Sequence, residues 1–116
     1  MRTYVNPSCP MYRKPSWAAY RQSIEPGAFL WTTSEPKGYP PYRVLWIRLP
    51  NGSEASLPIG PIPQGLTRVN WAYDSNSPLG LPTLTPSIKH GQPGDKYYWH
   101  GYCTKGVLVG LTENLP

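Results

Sequence analysis

Residues 43–59 read RVLWIRL, then PNGS, then EASLPI, and this stretch decides the fold class. Along the first segment Leu45, Ile47 and Leu49 fall on one side of an extended chain, while Val44, Trp46 and Arg48 fall on the other. That alternation is the period of a strand with one buried face. Asn51 and Gly52 in the PNGS that follows accept the backbone angles a tight turn requires, so the segment reads as a hairpin turn. The chain is therefore expected to return antiparallel through residues 54–59.

Working outward, the rest of the chain agrees with a β architecture. With 16 Pro and 11 Gly in 116 residues, long helices are disfavoured and short strands with turns are favoured. AFLWTT (28–33) reads as a strand, SEPKGYPPY (34–42) as a loop, LTRVNWAY (66–73) as another strand, and DSNSPLG (74–80) as a polar turn. In LPTLTPSIKHG (81–91), Pro82 and Pro86 withhold ladder donors, which points to an edge strand or an extended loop. KYYWHGYC (96–103) and VLVGLT (107–112) form a second hairpin around Thr104, Lys105 and Gly106, read as a three-residue loop. The best helix candidate is SWAAYRQS (16–23), capped by Ser16 and stopped by EPG. Residues 1–15 carry Pro7, Pro10 and Pro15 without an apolar period and read as an extended arm or strap. The expected fold is mainly β: a compact antiparallel sheet or barrel-like single domain over residues 16–116, with a short N-terminal helix, proline-rich loops and an N-terminal arm over 1–15.

A formal charge of +5 favours polyanions, nucleotides or acidic protein surfaces as partners. The basic residues are scattered and form no run, so only folding can gather them into a patch. Cys9 and Cys103 are too few for a disulfide framework, which favours a reduced, intracellular setting and leaves one long-range disulfide open. The N-terminus has no apolar leader core and no window approaches a membrane span. The expectation is a soluble, cytoplasmic protein with no membrane partner.

The most chemically loaded stretch is YYWHGYC (97–103). On a strand, Tyr97, Trp99, Gly101 and Cys103 share one side and Tyr98, His100 and Tyr102 the other. His100 and Cys103 thus point apart, which argues against a Cys/His dyad and against a metal site built from those two. Cys9, His90, Asp74 and Asp95 would have to complete a zinc site, and their spacing is nonspecific, so neither metal nor cofactor is expected. No GxSxG, HExxH or paired-carboxylate motif is present, and GQPGDK (91–96) lacks the strand-loop-helix setting of a phosphate-binding glycine loop. Rings and cations are what the chain does supply. Trp71, Tyr73, Tyr98, Trp99 and Tyr102 with Arg68, Lys89 and Lys105 are the side chains of a pocket that stacks a base and pairs a phosphate. Thr83, Thr85 and Ser87 share one parity beside Lys89, and with His100 and Tyr102 could receive phosphate oxygens. All of these positions except Trp99, eleven in number, form the candidate ligand site. The plain alternative is that the rings pack and the hydroxyls satisfy backbone groups around the prolines.

The order Trp71, a short Asp/Asn turn, PTLTPSI (82–88), an aromatic-flanked His100 and TKGVLV (104–109) resembles an uncharacterised family of small phage and bacterial β-proteins. That family runs Trp, turn, PTxxPSI, then a Cys-His pair and a strand. This chain has Trp99 where the family has its Cys, and LPNG (49–52) where the family has a CPGC-like turn. The resemblance implies a compact β domain in a phage or prophage setting. The resulting expectation is a non-enzymatic, homo-oligomeric binding protein that sequesters an anionic ligand, first a nucleotide or cyclic-oligonucleotide immune signal. The alternatives are an inhibitor docking on a host protein and a small metal-dependent hydrolase using His90, His100 and an aspartate.

Overall fold

The computed structural model describes residues 8–61, 70–92 and 94–111. In chain order these form β1 (Cys9–Pro10), β2 (Tyr12–Arg13), α1 (Trp17–Gln22), β3 (Ala28–Ser34), β4 (Tyr42–Arg48), β5 (Glu54–Ile59), β6 (Ala72–Tyr73), β7 (Leu84–His90), β8 (Trp99–Thr104) and β9 (Val107–Gly110). They make two sheets, one in the order β1-β9-β8-β7-β6 and the other β2-β3-β4-β5. The mainly β, single-domain expectation holds in this form.

The hairpin at residues 43–59 pairs antiparallel from Arg43 opposite Ile59 to Arg48 opposite Glu54. Its turn is closed by Leu49 and Ser53 (N to O, 2.8 Å), with Gly52 in the left-handed region at φ 88°. Parity then decides burial. Leu45, Ile47, Ala55, Leu57 and Ile59 enter the core with Phe29 of β3, and the other sheet contributes Leu84, Ile88, Trp99, Cys103 and Leu108. At roughly 25 cal/mol per Å² of apolar surface removed from water, this shared layer is the main stabilising contribution to the fold. On the opposite face of the four-stranded sheet, α1 lays Tyr20 against Ala28, Leu30 and Trp46. The helix starts as expected, with the Ser16 hydroxyl accepting from the Ala19 amide at 3.2 Å.

Several expectations are corrected. Of the segment read as an arm, residues 1–7 lie outside the described residues, and the rest carries two short strands: β1 pairs with β9, and β2 pairs parallel with β3. Met11 between them is buried, so this segment crosses from one sheet to the other. Residues 84–90 form β7, which has β8 on one side and, on the other, β6 only at Leu84 and Thr85, so from Pro86 on it is an edge strand among the described residues, as the prolines indicate. Pro86 is tolerated there because the register is interrupted between Leu84, opposite Cys103, and Ile88, opposite Gly101. The second hairpin has a two-residue turn, Lys105-Gly106, both at positive φ, closed by Thr104 opposite Val107. That is the primed turn that matches strand twist. Of the strand read at 66–73, residues 66–69 lie outside the described residues, while Ala72 and Tyr73 form β6. The disulfide left open by the sequence does not form. Cys9 and Cys103 both pair with Leu108 from opposite sides, two strand spacings or about 10 Å apart, beyond the ~7 Å a disulfide spans.

Gly27 shows how tightly the crossing segment is seated. It has φ 95°, its carbonyl accepts from the Tyr12 amide at 2.9 Å, and an added methyl would overlap the Pro10 carbonyl oxygen. Gly27→Ala is therefore expected to destabilise the protein by more than about 2 kcal/mol, against about 1 kcal/mol for Gly52→Ala, whose surroundings are open. Equal shifts in urea denaturation midpoints would contradict this packing.

Burial pushes the Cys103 thiol up to about 12 from the ordinary 9.0, and it raises Cys9 as well. The folded state thus holds the Cys103 proton more tightly than the unfolded chain does. Its contribution to stability is complete below pH 9 and falls as the pH rises from about 9 toward about 12. At neutral pH, half-exposed Cys9 should react with a thiol reagent while Cys103 reacts only on unfolding. Equal reaction rates of the two thiols in the native protein would contradict the burial of Cys103.

Candidate functional site

The site is built around Trp31. Phe29, Trp31 and Thr33 share one side of β3, but only Phe29 is fully covered by the opposite sheet; Trp31 is half-buried and Thr33 exposed. The Trp31 indole N–H donates to the Leu79 carbonyl at 2.9 Å, and the Tyr73 ring meets it edge-on at 5.5 Å. These contacts dock the segment after β6 against the end of the four-stranded sheet.

Two arginines approach the same ring from opposite sides of β3. Arg43 pairs with Thr33 on the β4 side, and its guanidinium lies over Trp31 at 6.0 Å from the ring centroid. On the other side Arg13 pairs with Phe29, and Lys14 follows it with its amide donating to the Phe29 carbonyl at 2.8 Å. Register positions 29 and 33 are roughly 13 Å apart along the strand.

Three adjoining hollows follow this arrangement. The first, of about 390 Å³, is lined by Arg13, Lys14, Pro15, Leu30 and Trp31. Arg13 and Trp31 are shared with the second, of about 200 Å³, which adds Thr32, Thr33, Arg43 and Leu79. Arg43 is shared with the third, of about 350 Å³, where Tyr42 and Tyr73 form part of the wall. The linings carry three cations and no carboxylate. Among the described residues the one ion pair is Arg48 with Glu54 at 3.9 Å, on the far side of the sheet beside Tyr20. A groove of this kind suits an anion with more than one charged group, since each guanidinium offers a bidentate fork to phosphate or carboxylate.

The residues singled out from sequence are placed differently. Arg68 lies outside the described residues. Trp71 is a correction: only 8% exposed, it belongs to the core and its indole N–H donates to the Ser87 carbonyl at 3.2 Å, so it offers no face for stacking. Tyr73 is half-buried against Trp31, its hydroxyl donating to the Ser77 carbonyl. The Thr83 hydroxyl accepts from the Ser77 hydroxyl and the Lys105 amide, each at 2.8 Å, which is the backbone-satisfying role. Lys105, exposed in its turn, shares with Thr83 a further hollow of about 460 Å³. Tyr98 is half-buried in the segment before β8.

The other five, Thr85, Ser87, Lys89, His100 and Tyr102, come together on the outer side of the five-stranded sheet. Lys89 sits directly opposite His100, and the Ser87 hydroxyl lies 2.8 Å from His100 Nε2. That serine–histidine contact is the first half of an acyl-transfer arrangement, yet neither residue lines the hollows described above. As the parity of residues 97–103 requires, Trp99, Gly101 and Cys103 are buried on the opposite side. His90 and His100 hold positions of opposite parity across the β7–β8 pair, and no three His, Cys, Asp or Glu side chains converge among the described residues.

Sequence reasoning missed Arg13, Lys14, Trp31 and Arg43. No local spacing links them; the signal was the shared parity of Phe29, Trp31 and Thr33, with the last two too far along the strand to be covered. In comparisons with protein-family models, curated proteins and solved structures, nothing matches the chain. Among the described residues no helix is long and apolar enough to cross a membrane.

Proposed function

We propose that the protein acts by binding rather than by catalysis, and that its ligand is an anion seated across Arg13, Lys14 and Arg43 against Trp31. The observation that carries this is the convergence of three cations on one aromatic-walled groove whose lining holds no carboxylate. Stacking on Trp31 limits how far the Arg43 fork can wander, so less freedom is lost when it pairs with an anion. The +5 formal charge adds long-range attraction for the same class of ligand. Two chemistries present such anions: the phosphates of a nucleotide, with Tyr42 and Tyr73 beside Arg43 to meet the base, and the carboxylates of a partner protein. Both match the binding functions expected from the sequence. In the cytoplasm of a phage-infected host, the setting that the resemblance of the C-terminal half suggests, either would serve to sequester a signal or occupy a host protein.

The expectation is that ATP or a glutamate-rich peptide binds in calorimetry at low salt, more weakly as salt rises. The Arg13→Ala/Arg43→Ala double variant should lose at least about 1.4 kcal/mol, or tenfold, of that binding with an unchanged melting temperature, because both side chains are exposed. If Lys89→Ala removes the binding and the double variant keeps it, the ligand uses the outer face of the other sheet and the groove assignment fails. If neither anion binds, the proposal itself fails.

A further inference from the structure

Backbone polarity fixes which groups of β3 are free. The carbonyls of Gly27 and Phe29 accept from the amides of Tyr12 and Lys14, so Phe29 turns its backbone groups toward β2. On a strand the same orientation recurs every second residue, so Trp31 and Thr33 turn their N–H and C=O groups to that side too. By the same alternation Leu30 and Thr32 turn theirs toward β4, opposite Trp46 and Val44. β2 covers only Ala28 and Phe29. Beyond Lys14 the chain leaves the lane through Pro15 and enters α1 at the Ser16 cap. Among the described residues, nothing pairs with β3 on that side from Trp31 onward, although β4 accompanies it to Ser34 on the other.

An open strand edge recruits another strand, and what surrounds it selects which one. Here the lane runs through the two hollows lined by Arg13, Lys14 and Arg43. A guest strand in it would alternate its side chains between two surfaces. One is the Trp31 and Arg43 side, suited to carboxylates; the other is the Leu30 and Pro15 side, suited to small apolar groups. Unlike a nucleotide, an extended peptide uses both the cations and the free amides.

We infer that the groove binds an extended acidic segment of a partner protein, which adds to the four-stranded sheet as a strand along Trp31–Ser34 of β3. This rests on the anionic-ligand reading and names the ligand class.

The test uses an isotope-labelled full chain and three short peptides of alternating glutamate and valine: unmodified, N-methylated on the alternate amides that would face β3, and N-methylated on the complementary set. A lysine-valine peptide and ATP complete the series. The unmodified acidic peptide should shift the Trp31 and Thr33 amide signals and slow their hydrogen exchange at least about tenfold. Methylation of the facing amides should weaken binding at least about tenfold, and methylation of the complementary set should leave it unchanged. Thr33→Pro, which removes a donor directed at the guest and none directed at β4, should abolish peptide binding and spare any binding of ATP. Because the methylated peptides act on the native protein, the test stands even if that variant misfolds. Equal binding of both methylated peptides, equal binding of the lysine peptide, or acidic-peptide binding without protection of Trp31 and Thr33 would overturn the strand-addition inference. If ATP alone binds, the inference falls and the anionic-ligand reading stands; if neither ATP nor peptide binds, both fall.

Discussion

The short crossing from Cys9 to Lys14 is the constraint on which the rest of this fold depends. Three backbone bonds fix it: the Met11 amide to the Gly106 carbonyl, Tyr12 to Gly27, and Lys14 to Phe29, at 2.8, 2.9 and 2.8 Å. The first bond belongs to the β8–β9 hairpin and the other two to the edge of β3, so six residues hold two sheets in one relation, with Met11 buried between them. The crossing also sets the function proposed here. It delivers Arg13 and Lys14 to the β3 edge and then turns through Pro15 into the Ser16 cap of α1, so the ladder ends at Lys14. The cations and the open edge therefore arise from one cause.

The two sheets are further joined through the hairpin and loop segments. Asn51, in the turn of the first hairpin, donates through its side-chain amide to the Tyr97 and Tyr98 carbonyls at 3.0 and 3.1 Å, tying β4–β5 to the segment before β8. Trp31, through Leu79 and Tyr73, ties β3 to the segment after β6. Between these ties lies an apolar layer free of buried charge, which is why ionic contacts contribute little to holding this basic protein together. The exposed Arg48–Glu54 pair, at 3.9 Å, is worth at most about 1 kcal/mol. Among the described residues no other lysine or arginine is held in an ion pair, and Arg13, Lys14 and Arg43 are oriented by the backbone and by Trp31.

What the sequence made legible follows from how far each signal extends along the chain. The 43–59 hairpin, the parity of residues 99–103 and the Ser16-capped helix are local and repeat over several residues, so period and turn chemistry suffice. The two-residue strands β1 and β2 are too short to show a period, and their prolines read as punctuation. Pro86 marks β7 as an edge from that residue on, whereas the two-residue β6 that covers Leu84 and Thr85 is too short to show a period. For the site, Arg13 and Arg43 are brought together only by β3 between them, so no spacing could pair them. Trp71 has the ring chemistry of a stacking residue, but its burial is set by strands distant in sequence.

Amide hydrogen exchange along β3 in the free protein tests the central claim most directly, because the claim is that one side of this strand is paired and the other is open beyond Phe29. The amides of Leu30 and Thr32, which face β4, should be strongly protected, while those of Trp31 and Thr33 should exchange at least about a hundredfold faster. Uniform protection from Leu30 to Thr33 would contradict it, since another part of the chain or a second copy would then already fill the lane.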